Sequence, residues 1–220
     1  MNKLSEFMCT NPAEIETESF RILTAELAER DIVLTGDTAP VIKRCIHTTA
    51  DFDYAKTLVF SDGAADRFRE FVRSGADIVT DTNMALAGIS KKELAKYGGS
   101  VHCFMADEEI AREASLRGVT RASVSMEHAM RLEGPVIFVI GNAPTALITL
   151  REKYDSGEFI PDFVIGVPVG FVNVEAAKEL IIETDIPHII NRGRKGGSNV
   201  AAAICNALLY AMRDDRDTPD

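Results

Sequence analysis

Short stretches of continuous apolar residues recur along the chain and alternate with segments of helical periodicity. Five of these stretches predict β-strands, at Asp77–Thr80, Val101–Met105, Val136–Ile140, Phe163–Gly166 and His188–Asn191. Because they are apolar at successive positions rather than at every second one, they are typical of parallel strands that are buried on both faces. Strands that alternate with helices form a sheet covered on both sides. The pattern therefore predicts an α/β fold of three layers, α/β/α, around a mainly parallel, Rossmann-like central sheet.

Helix start and stop signals lie between the predicted strands. They predict helices at Val41–Thr48, Gly63–Ser74, Asp107–Arg117, Arg121–Leu132, Glu175–Glu183 and Asn199–Met212. Asp62 and Ser198 immediately precede two of these helices and are residue types that commonly cap helix N-termini. We expect both side chains to act as N-caps.

A further helix at the start of the chain carries one polar residue on its apolar side. Its spacing places Ile15, Ile22, Leu23 and Leu27 on one stripe, which is expected to face inward. Ser19 lies on the same side, four residues after Ile15 and three before Ile22. A serine there can bond back to a helix carbonyl. It can equally contact a ligand, and the pattern leaves both interpretations open.

The length and composition favour one globular domain that spans residues 1–220. The chain is 46% apolar, and no linker-like segment, long charge run or internal repeat divides it. The first residues lack the apolar core of a signal sequence, and the longest apolar run is far too short to span a bilayer. We expect a cytoplasmic protein that does not bind a membrane. Cys9, Cys45, Cys103 and Cys205 are widely scattered, which predicts reduced thiols rather than a metal or redox motif.

A cluster of cations contrasts with the acidic character of the chain. The net charge is -10 and the sequence pI is about 5.0, which argues against a nucleic-acid partner. Arg192, Arg194 and Lys195 nevertheless fall within four residues, interspersed with glycines, between a predicted strand and a predicted helix. Glycine-rich backbone, cationic side chains and a helix N-terminus together favour an anion. The basic loop is therefore predicted to bind a negatively charged ligand, although a solvated surface loop is the alternative.

The loops that follow the predicted strands are expected to share one ligand site. In parallel α/β sheets, ligands bind outside the carboxyl ends of the strands. This rule would bring together the loops at 81–84, 141–142 and 167–171 and the basic loop. None of them contains a dinucleotide-binding glycine fingerprint or a phosphate-binding P-loop. A nucleotide cofactor is therefore not indicated.

His47 is the best candidate for a proton carrier. Imidazole titrates near neutral pH, and Arg44 precedes His47 by three residues on the same side of a predicted helix. A lone histidine is more often structural, and the neighbouring arginine alone does not reverse that. Asp51, one turn further on, could orient the imidazole if the helix continued that far. No metal-binding motif and no nucleophile motif is present in the sequence, so the expected chemistry is proton transfer and positioning.

Several segments together resemble one protein family. They are Glu18-Ser19, Arg44-Cys45-Ile46-His47, Asp81-Thr82-Asn83-Met84 with Gly88-Ile89, Gly141 to Leu147, Gly166 to Val172, and Gly193 to Ser198. In this order, and over nearly the whole chain, they are similar to the precorrin-8X methylmutases, also called cobalt-precorrin-8 methylmutases.

The resemblance implies an isomerase of cobalamin biosynthesis. Such an enzyme moves a methyl group from C-11 to C-12 of precorrin-8X or cobalt-precorrin-8 and yields hydrogenobyrinate or cobyrinate. The family's general acid corresponds to His47, and its substrate-binding serine and arginines correspond to Ser19, Arg44 and Arg121. The resemblance further implies a homodimer with the site near the subunit interface. It implies no cofactor, since any cobalt is carried by the substrate.

The resemblance also gives the loops a substrate. A large flat ring fringed with carboxylates suits a wide cleft lined by cations and helix N-termini, which adds Asn142 and the basic loop, Arg192, Arg194 and Lys195, to the predicted contacts. Two other functions remain as alternatives. One is a corrinoid carrier that does not alter its ligand, and the other is an α/β enzyme for a phosphorylated metabolite. Whether the substrate already carries cobalt is left open.

Overall fold

The structure, a computed structural model, describes residues 11–214. A six-stranded sheet lies at its centre, with strands β1 (Leu58–Phe60), β2 (Asp77–Thr80), β3 (Val101–His102), β4 (Val136–Ile140), β5 (Phe163–Gly166) and β6 (His188–Asn191). Its spatial order is β1-β6-β5-β4-β2-β3, and every neighbouring pair is parallel except β1 and β6. The predicted α/β fold with a mainly parallel sheet is confirmed.

The helices of the described residues connect these strands. They are α1 (Pro12–Glu29), α2 (Ala39–Thr49), α3 (Tyr54–Thr57), α4 (Ala64–Arg73), α5 (Asn83–Gly88), α6 (Lys91–Ala95), α7 (Glu108–Arg117), α8 (Arg121–Ala129), α9 (Pro144–Asp155), α10 (Val174–Ile182) and α11 (Ser198–Asp214). No helix in the described part of the chain combines the length and the apolar character needed to cross a membrane.

Alternate residues of the central strands pack into two separate hydrophobic cores, one on each face of the sheet. In β4, Ile137 and Val139 pack into the core shared with α2, α4 and α11, whereas Val136, Phe138 and Ile140 pack into the core shared with α8, α9 and α10. All five side chains are at most 2% exposed. Burial on both faces explains why the strand is apolar at successive positions, and it makes the molecule three-layered.

Two predicted helix caps are not found in the structure. Helix α4 begins after Gly63, which adopts a positive φ of 64°, and no side chain caps it. Asp62 therefore does not act as the N-cap. Ser198 is the first residue of α11, and its hydroxyl shares a hydrogen bond of 2.7 Å with that of Thr82. This bond ties α11 to the loop that follows β2, so the serine joins two loops at the carboxyl edge of the sheet.

The apolar stripe of α1 is buried only over part of its length. Leu23 and Leu27 are 7% and 3% exposed, but Ile15 and Ile22 are 47% and 38% exposed. The prediction that all four face inward is therefore wrong for the two isoleucines. Helix α1 packs against α2 and leaves an apolar strip open to solvent beside Ser19.

Candidate active site

His47 lies on the last turn of α2, on the side of the helix that faces away from the core. Val41, Ile42, Cys45 and Ile46 bury the opposite side, whereas the imidazole is exposed. The helix ends just beyond it because Ala50 adopts a left-handed conformation, with φ 54°, and its N–H bonds to the carbonyl of Ile46. A well-packed helix end thus presents the imidazole to solvent.

Phe20 of α1 joins His47 and Arg44 into one cluster. The imidazole stacks on the phenyl ring with 4.8 Å between centroids and 10° between planes. The guanidinium carbon of Arg44 lies 4.8 Å from the same ring centroid, in cation–π geometry. Arg44 also binds Glu16 at 2.7 Å, and this hydrogen bond lowers the pKa of the Glu16 carboxyl. One aromatic side chain therefore holds the imidazole and a paired guanidinium next to each other.

An open cleft of about 280 Å³ lies between α1 and α2 beside this cluster. Its lining residues are Ser19, Ile22, Leu23, Glu26, Ile46, His47, Ala50 and Phe52. Ser19 and His47, which the sequence placed on separate helices, thus line the same cavity, with Arg44 next to it. Its mixed polar and apolar lining suits a flat, largely apolar ligand with polar substituents.

The structure does not support the prediction that Asp51 orients His47. The Asp51 carboxylate instead accepts a hydrogen bond from Lys195 Nζ at 2.5 Å and another from the backbone N–H of Asp53. The bond from Lys195 lowers the pKa of Asp51. Since α2 ends at Thr49, Asp51 is not on the same helix face as the imidazole.

The sheet topology places the basic loop next to the end of α2. This loop, residues 192–197, follows the carboxyl end of β6, where the antiparallel strand β1 begins, so that Leu58 pairs with Asn191. The backbone N–H of Arg192 bonds to the carbonyl of Thr57 at 2.9 Å. Lys195 also reaches Asp53 at 2.6 Å, in addition to Asp51. The segment that leads from His47 into β1 therefore lies against the basic loop.

The cations of the basic loop are already paired with carboxylates of the same chain. Arg192 binds Glu179 at 3.1 Å, and Arg194 binds Glu175 at 2.8 Å. In both pairs the two side chains are 43–60% exposed. With Lys195 bound to two aspartates, the predicted anion-binding cations face solvent but are not free. Exposed ion pairs contribute about 0–1 kcal/mol, so a ligand carboxylate can replace the protein carboxylate at little cost.

Asp81 organises the loop that contains Asn142. Its carboxylate is 1% exposed and accepts backbone hydrogen bonds from Gly141 at 2.8 Å, Asn142 at 2.8 Å and Ala143 at 2.6 Å. Burial raises the pKa of Asp81, and these three N–H donors oppose the shift. The backbone donors at the start of α9 are therefore satisfied internally, which leaves the exposed side chain of Asn142 as the group that faces solvent.

The loop after β4 also packs tightly on the start of α11. A Cβ on Gly141 would lie 2.7 Å from the Cα of Ser198, so only glycine fits between these two segments. The loops at the carboxyl ends of β2, β4 and β6 are thus in direct contact, as expected for a shared site.

Arg121 lies on a different helix from the residues of this cluster. It is the first residue of α8, it is exposed, and its side chain makes no hydrogen bond or ion pair with the described residues. The preceding Thr120 bonds to Thr145 at 2.9 Å, which places the start of α8 beside the start of α9. Arg121 therefore lies near the Asn142 loop, and no contact joins it to His47.

The roles of two residues that shape the site were missed by sequence reasoning. Phe20 adjoins Ser19 in the chain, and its role depends on the packing of α1 against α2. Asp81 directly follows a buried strand, and a polar residue at that point could have indicated a loop-organising role. Within residues 11–214, no group of three or more histidine, cysteine or acidic side chains is arranged to hold a metal ion.

Comparison with known proteins gives consistent matches over most of the chain. A family model described as precorrin-8X methylmutase matches residues 14–211. The cobalt-precorrin-8 methylmutase of Salmonella typhimurium is 42% identical over 207 residues, which cover 92% of this chain and 97% of that protein. The precorrin-8X methylmutase of Pseudomonas aeruginosa is 37% identical over 197 residues, covering 88% and 93%.

A solved structure matches as well. The precorrin-8X methylmutase of Thermus thermophilus superposes with a TM-score of 0.81 at 35% identity, covering 92% of this chain and 98% of that one. The sequence and structural matches therefore indicate the same family.

Proposed function

Since the chain belongs to the precorrin-8X methylmutase family and is an isomerase of cobalamin biosynthesis, we propose that it moves a methyl group from C-11 to C-12 of precorrin-8X or cobalt-precorrin-8. The product is hydrogenobyrinate or cobyrinate. The main structural support for this assignment is the cleft that Ser19 and His47 both line, with Arg44 beside it.

His47 is the proposed general acid. Its imidazolium donates a proton to a ring nitrogen of the macrocycle, which lowers the barrier for the methyl shift within the π system. The bond from the methyl carbon to C-11 breaks as the bond to C-12 forms, and loss of a proton completes the isomerisation without an added reactant. Stacking on Phe20 supports this role because it fixes the plane of the imidazole while leaving the ring exposed.

The substrate is proposed to extend beyond the cleft. A volume of about 280 Å³ is at the low end for a drug-sized ligand, and the macrocycle is considerably larger. We place the reacting part of the ring in the cleft, against Ser19 and His47. Its carboxylate side chains then reach outward to Arg44 on α2 and to the cationic and amide groups of the loops, namely Arg121, Asn142, Arg192, Arg194 and Lys195.

A homodimer is proposed to complete the site. Ile15 and Ile22 form an exposed apolar strip at the edge of the cleft, and a second copy of the chain covering this strip would enclose the ring. Light scattering on the purified protein should give the mass of two chains. Ile15→Lys with Ile22→Lys should give monomers with little turnover, whereas Leu116→Lys, at a residue that is 82% exposed, should stay dimeric. Full turnover by a monomer would contradict this arrangement.

No resident cofactor is proposed, and any cobalt enters with the substrate. The reaction is expected to take place in the cytoplasm, with no nucleic acid and no membrane as partners. Metal-free and cobalt-loaded substrates should be assayed side by side, because the relatives named above carry both names. The ratio of kcat/KM for the two substrates identifies the one that this chain prefers.

The central experiment removes the imidazole. His47→Ala should lower kcat by about 10²–10⁴-fold, the usual contribution of a general acid, while substrate binding changes little. Formation of the corrin product is followed by its visible spectrum. His128→Ala is the matched control, because it removes a half-buried imidazole from α8. Wild-type turnover in His47→Ala would refute the assignment of the acid.

The same assay distinguishes an enzyme from a carrier. If the wild-type protein binds the substrate and returns it unchanged after hours, the methylmutase activity is absent and a carrier function is supported. The family match favours turnover, because the relatives are isomerases.

The role of the basic loop is tested by separating a cation from its partner. Arg194→Gln should weaken substrate binding about tenfold if the guanidinium binds a carboxylate of the ring. Glu175→Gln removes the internal partner of Arg194 and leaves the cation, so its affinity should equal or exceed that of the wild type. Unchanged binding in Arg194→Gln would leave that cation without a role in substrate binding.

A further inference from the structure

Helix α10 buries a lysine where its pattern calls for an apolar residue. Its buried positions are Val174, Ala177, Lys178 and Ile181, which form the stripe that packs on the sheet. Lys178 is 0% exposed. Lysines are almost never buried without a partner, because desolvating an ammonium group is costly. A side chain in this position therefore needs a specific structural reason.

Both hydrogen-bond partners of Lys178 belong to the basic loop. Its Nζ donates to the carbonyl of Gly193 at 2.6 Å and to the carbonyl of Lys195 at 2.9 Å. The ammonium group thus reaches from α10 beneath the loop and binds it on either side of Arg194. Burial lowers the pKa of Lys178 to about 8, and the charge of Glu175 one turn earlier opposes this shift.

The contacts of the loop explain why its side chains point outward. The carbonyl of Arg194 accepts a bond from the N–H of Gly170 at 3.2 Å. The carbonyl of Lys195 accepts a second bond, from the side-chain amide of Asn191 at 2.9 Å. Three consecutive carbonyls, from Gly193 to Lys195, therefore all accept hydrogen bonds from other parts of the chain, and two of them are bound by Lys178. This leaves the guanidinium of Arg194 on the outer, exposed side.

We propose that Lys178 is a positioning residue for substrate binding, because it holds the main chain of residues 193–195 so that the cations of the loop face the carboxylates of the macrocycle. The ammonium group does not reach the surface and makes no contact with substrate. This inference rests on the proposed function of the basic loop as a carboxylate-binding element.

The experiment compares Lys178→Met with Arg194→Gln and with the double variant. Methionine has a similar length and cannot donate a hydrogen bond, so the loop should lose its inner support. Substrate binding should weaken about tenfold in Lys178→Met while kcat stays within about threefold. Because both changes act on one element, the double variant should bind about as weakly as either single variant.

Hydrogen exchange of the free protein gives a readout that does not depend on substrate. The N–H groups of Arg192 and Gly197 bond to the carbonyls of Thr57 and Val167, both at 2.9 Å, and report on the loop. Peptides covering residues 192–197 should exchange about tenfold faster in Lys178→Met. Peptides covering residues 141–143 are the internal control, since the three hydrogen bonds that hold that loop to Asp81 do not involve Lys178.

The two proposals fail in different ways. Faster exchange with unchanged binding in both Lys178→Met and Arg194→Gln would refute the substrate role of the loop and, with it, the positioning role. Weaker binding in Arg194→Gln alone, with wild-type exchange in Lys178→Met, would refute the role of Lys178 and leave the loop as a binding element. If Lys178→Met does not fold, Lys178→Gln replaces it. Its shorter amide can reach at most one carbonyl, and wild-type exchange and affinity in that variant would overturn the inference.

Discussion

Replacing Asp81 by asparagine tests whether a buried charge holds the loop that presents Asn142. The substitution keeps the size of the side chain and removes its charge. The carboxylate receives three backbone N–H groups, one on Oδ1 from Gly141 and two on Oδ2 from Asn142 and Ala143. An asparagine oxygen can replace only one of the two carboxylate oxygens. The amide NH₂ must then face at least one N–H donor.

The geometry sets the size of the effect. With the oxygen in the Oδ2 position, two hydrogen bonds remain but lose their charge, and the N–H of Gly141 is left without an acceptor. Leaving a buried donor unsatisfied costs about 1–3 kcal/mol, and bonds to charged groups are stronger than neutral ones by about 1 kcal/mol each. Relief of the burial of the carboxylate offsets part of this. We expect Asp81→Asn to lower the free energy of unfolding by about 2–4 kcal/mol.

Urea unfolding measures this loss of stability, provided that the slope of the free energy of unfolding against urea concentration is the same in both proteins. For a slope of about 2 kcal/mol per molar urea, the midpoint should fall by roughly 1–2 M. Asp77→Asn is the matched control, at the other end of β2. Asp77 accepts one backbone bond, from Ser100 at 2.7 Å, and its side chain is 24% exposed. Its replacement should cost about 1 kcal/mol or less.

The comparison of the two variants decides the matter. If Asp81→Asn is no less stable than Asp77→Asn, the three N–H groups do not depend on the charge of Asp81. The loop would then be held by packing alone, and the hydrogen bonds from these backbone N–H groups to Asp81 would add nothing to the free energy of unfolding.

Three further outcomes are expected. Gly196→Ala should lower the free energy of unfolding by about 2 kcal/mol, because the new Cβ would lie 2.0 Å from the carbonyl oxygen of Val167. Urea titration measures this loss, and wild-type stability would show that the loop moves freely. Lys178 has its pKa lowered to about 8 from 10.5, so the unfolded chain binds a proton that the folded chain has lost between these values. Relative to Lys178→Met, wild-type stability should therefore rise by about 2 kcal/mol from pH 8 to pH 9.5, and a flat or falling difference would contradict this. Burial raises the pKa of Cys45 to about 12, so a thiol reagent should label the half-exposed Cys103 in the folded protein and reach Cys45 only after unfolding, as mapped by mass spectrometry.

The buried strands were predictable because their environment is uniform. β2, β4, β5 and β6 have the bounds that the apolar runs indicated. A strand covered on both faces is apolar at successive central positions, which leaves a clear signal even where polar residues such as His188 and Asn191 stand at its ends. Strand β1 was missed, since it has three residues, lies at the edge of the sheet and runs antiparallel. Strand β3 is shorter than expected, ending at His102 rather than at Met105.

The contacts of the site were less predictable because they join distant parts of the chain. Lys195 and Asp51 are separated by 144 positions, and no local pattern relates them. A lysine in a helix normally predicts an exposed position. That Lys178 lies on the buried side of α10 is evident only once its neighbours on the helix are known to be buried. The spacing on α2 did place Arg44 and His47 on one side, because i, i+3 geometry is a local property of the helix.

The pairing of the basic loop has a consequence for how an anionic ring can bind to an acidic protein. An unpaired guanidinium in a chain of net charge -10 would attract many small anions. Here each cation of the loop has a carboxylate partner, and a single incoming carboxylate gains little by replacing it. A rigid ring with several carboxylates replaces several partners in one binding event. The entropy of immobilising the ligand is therefore lost once for all of these contacts. With the ring bound as proposed, we expect selectivity for a many-acid macrocycle over small acids, and added salt should weaken binding because it screens these exposed contacts.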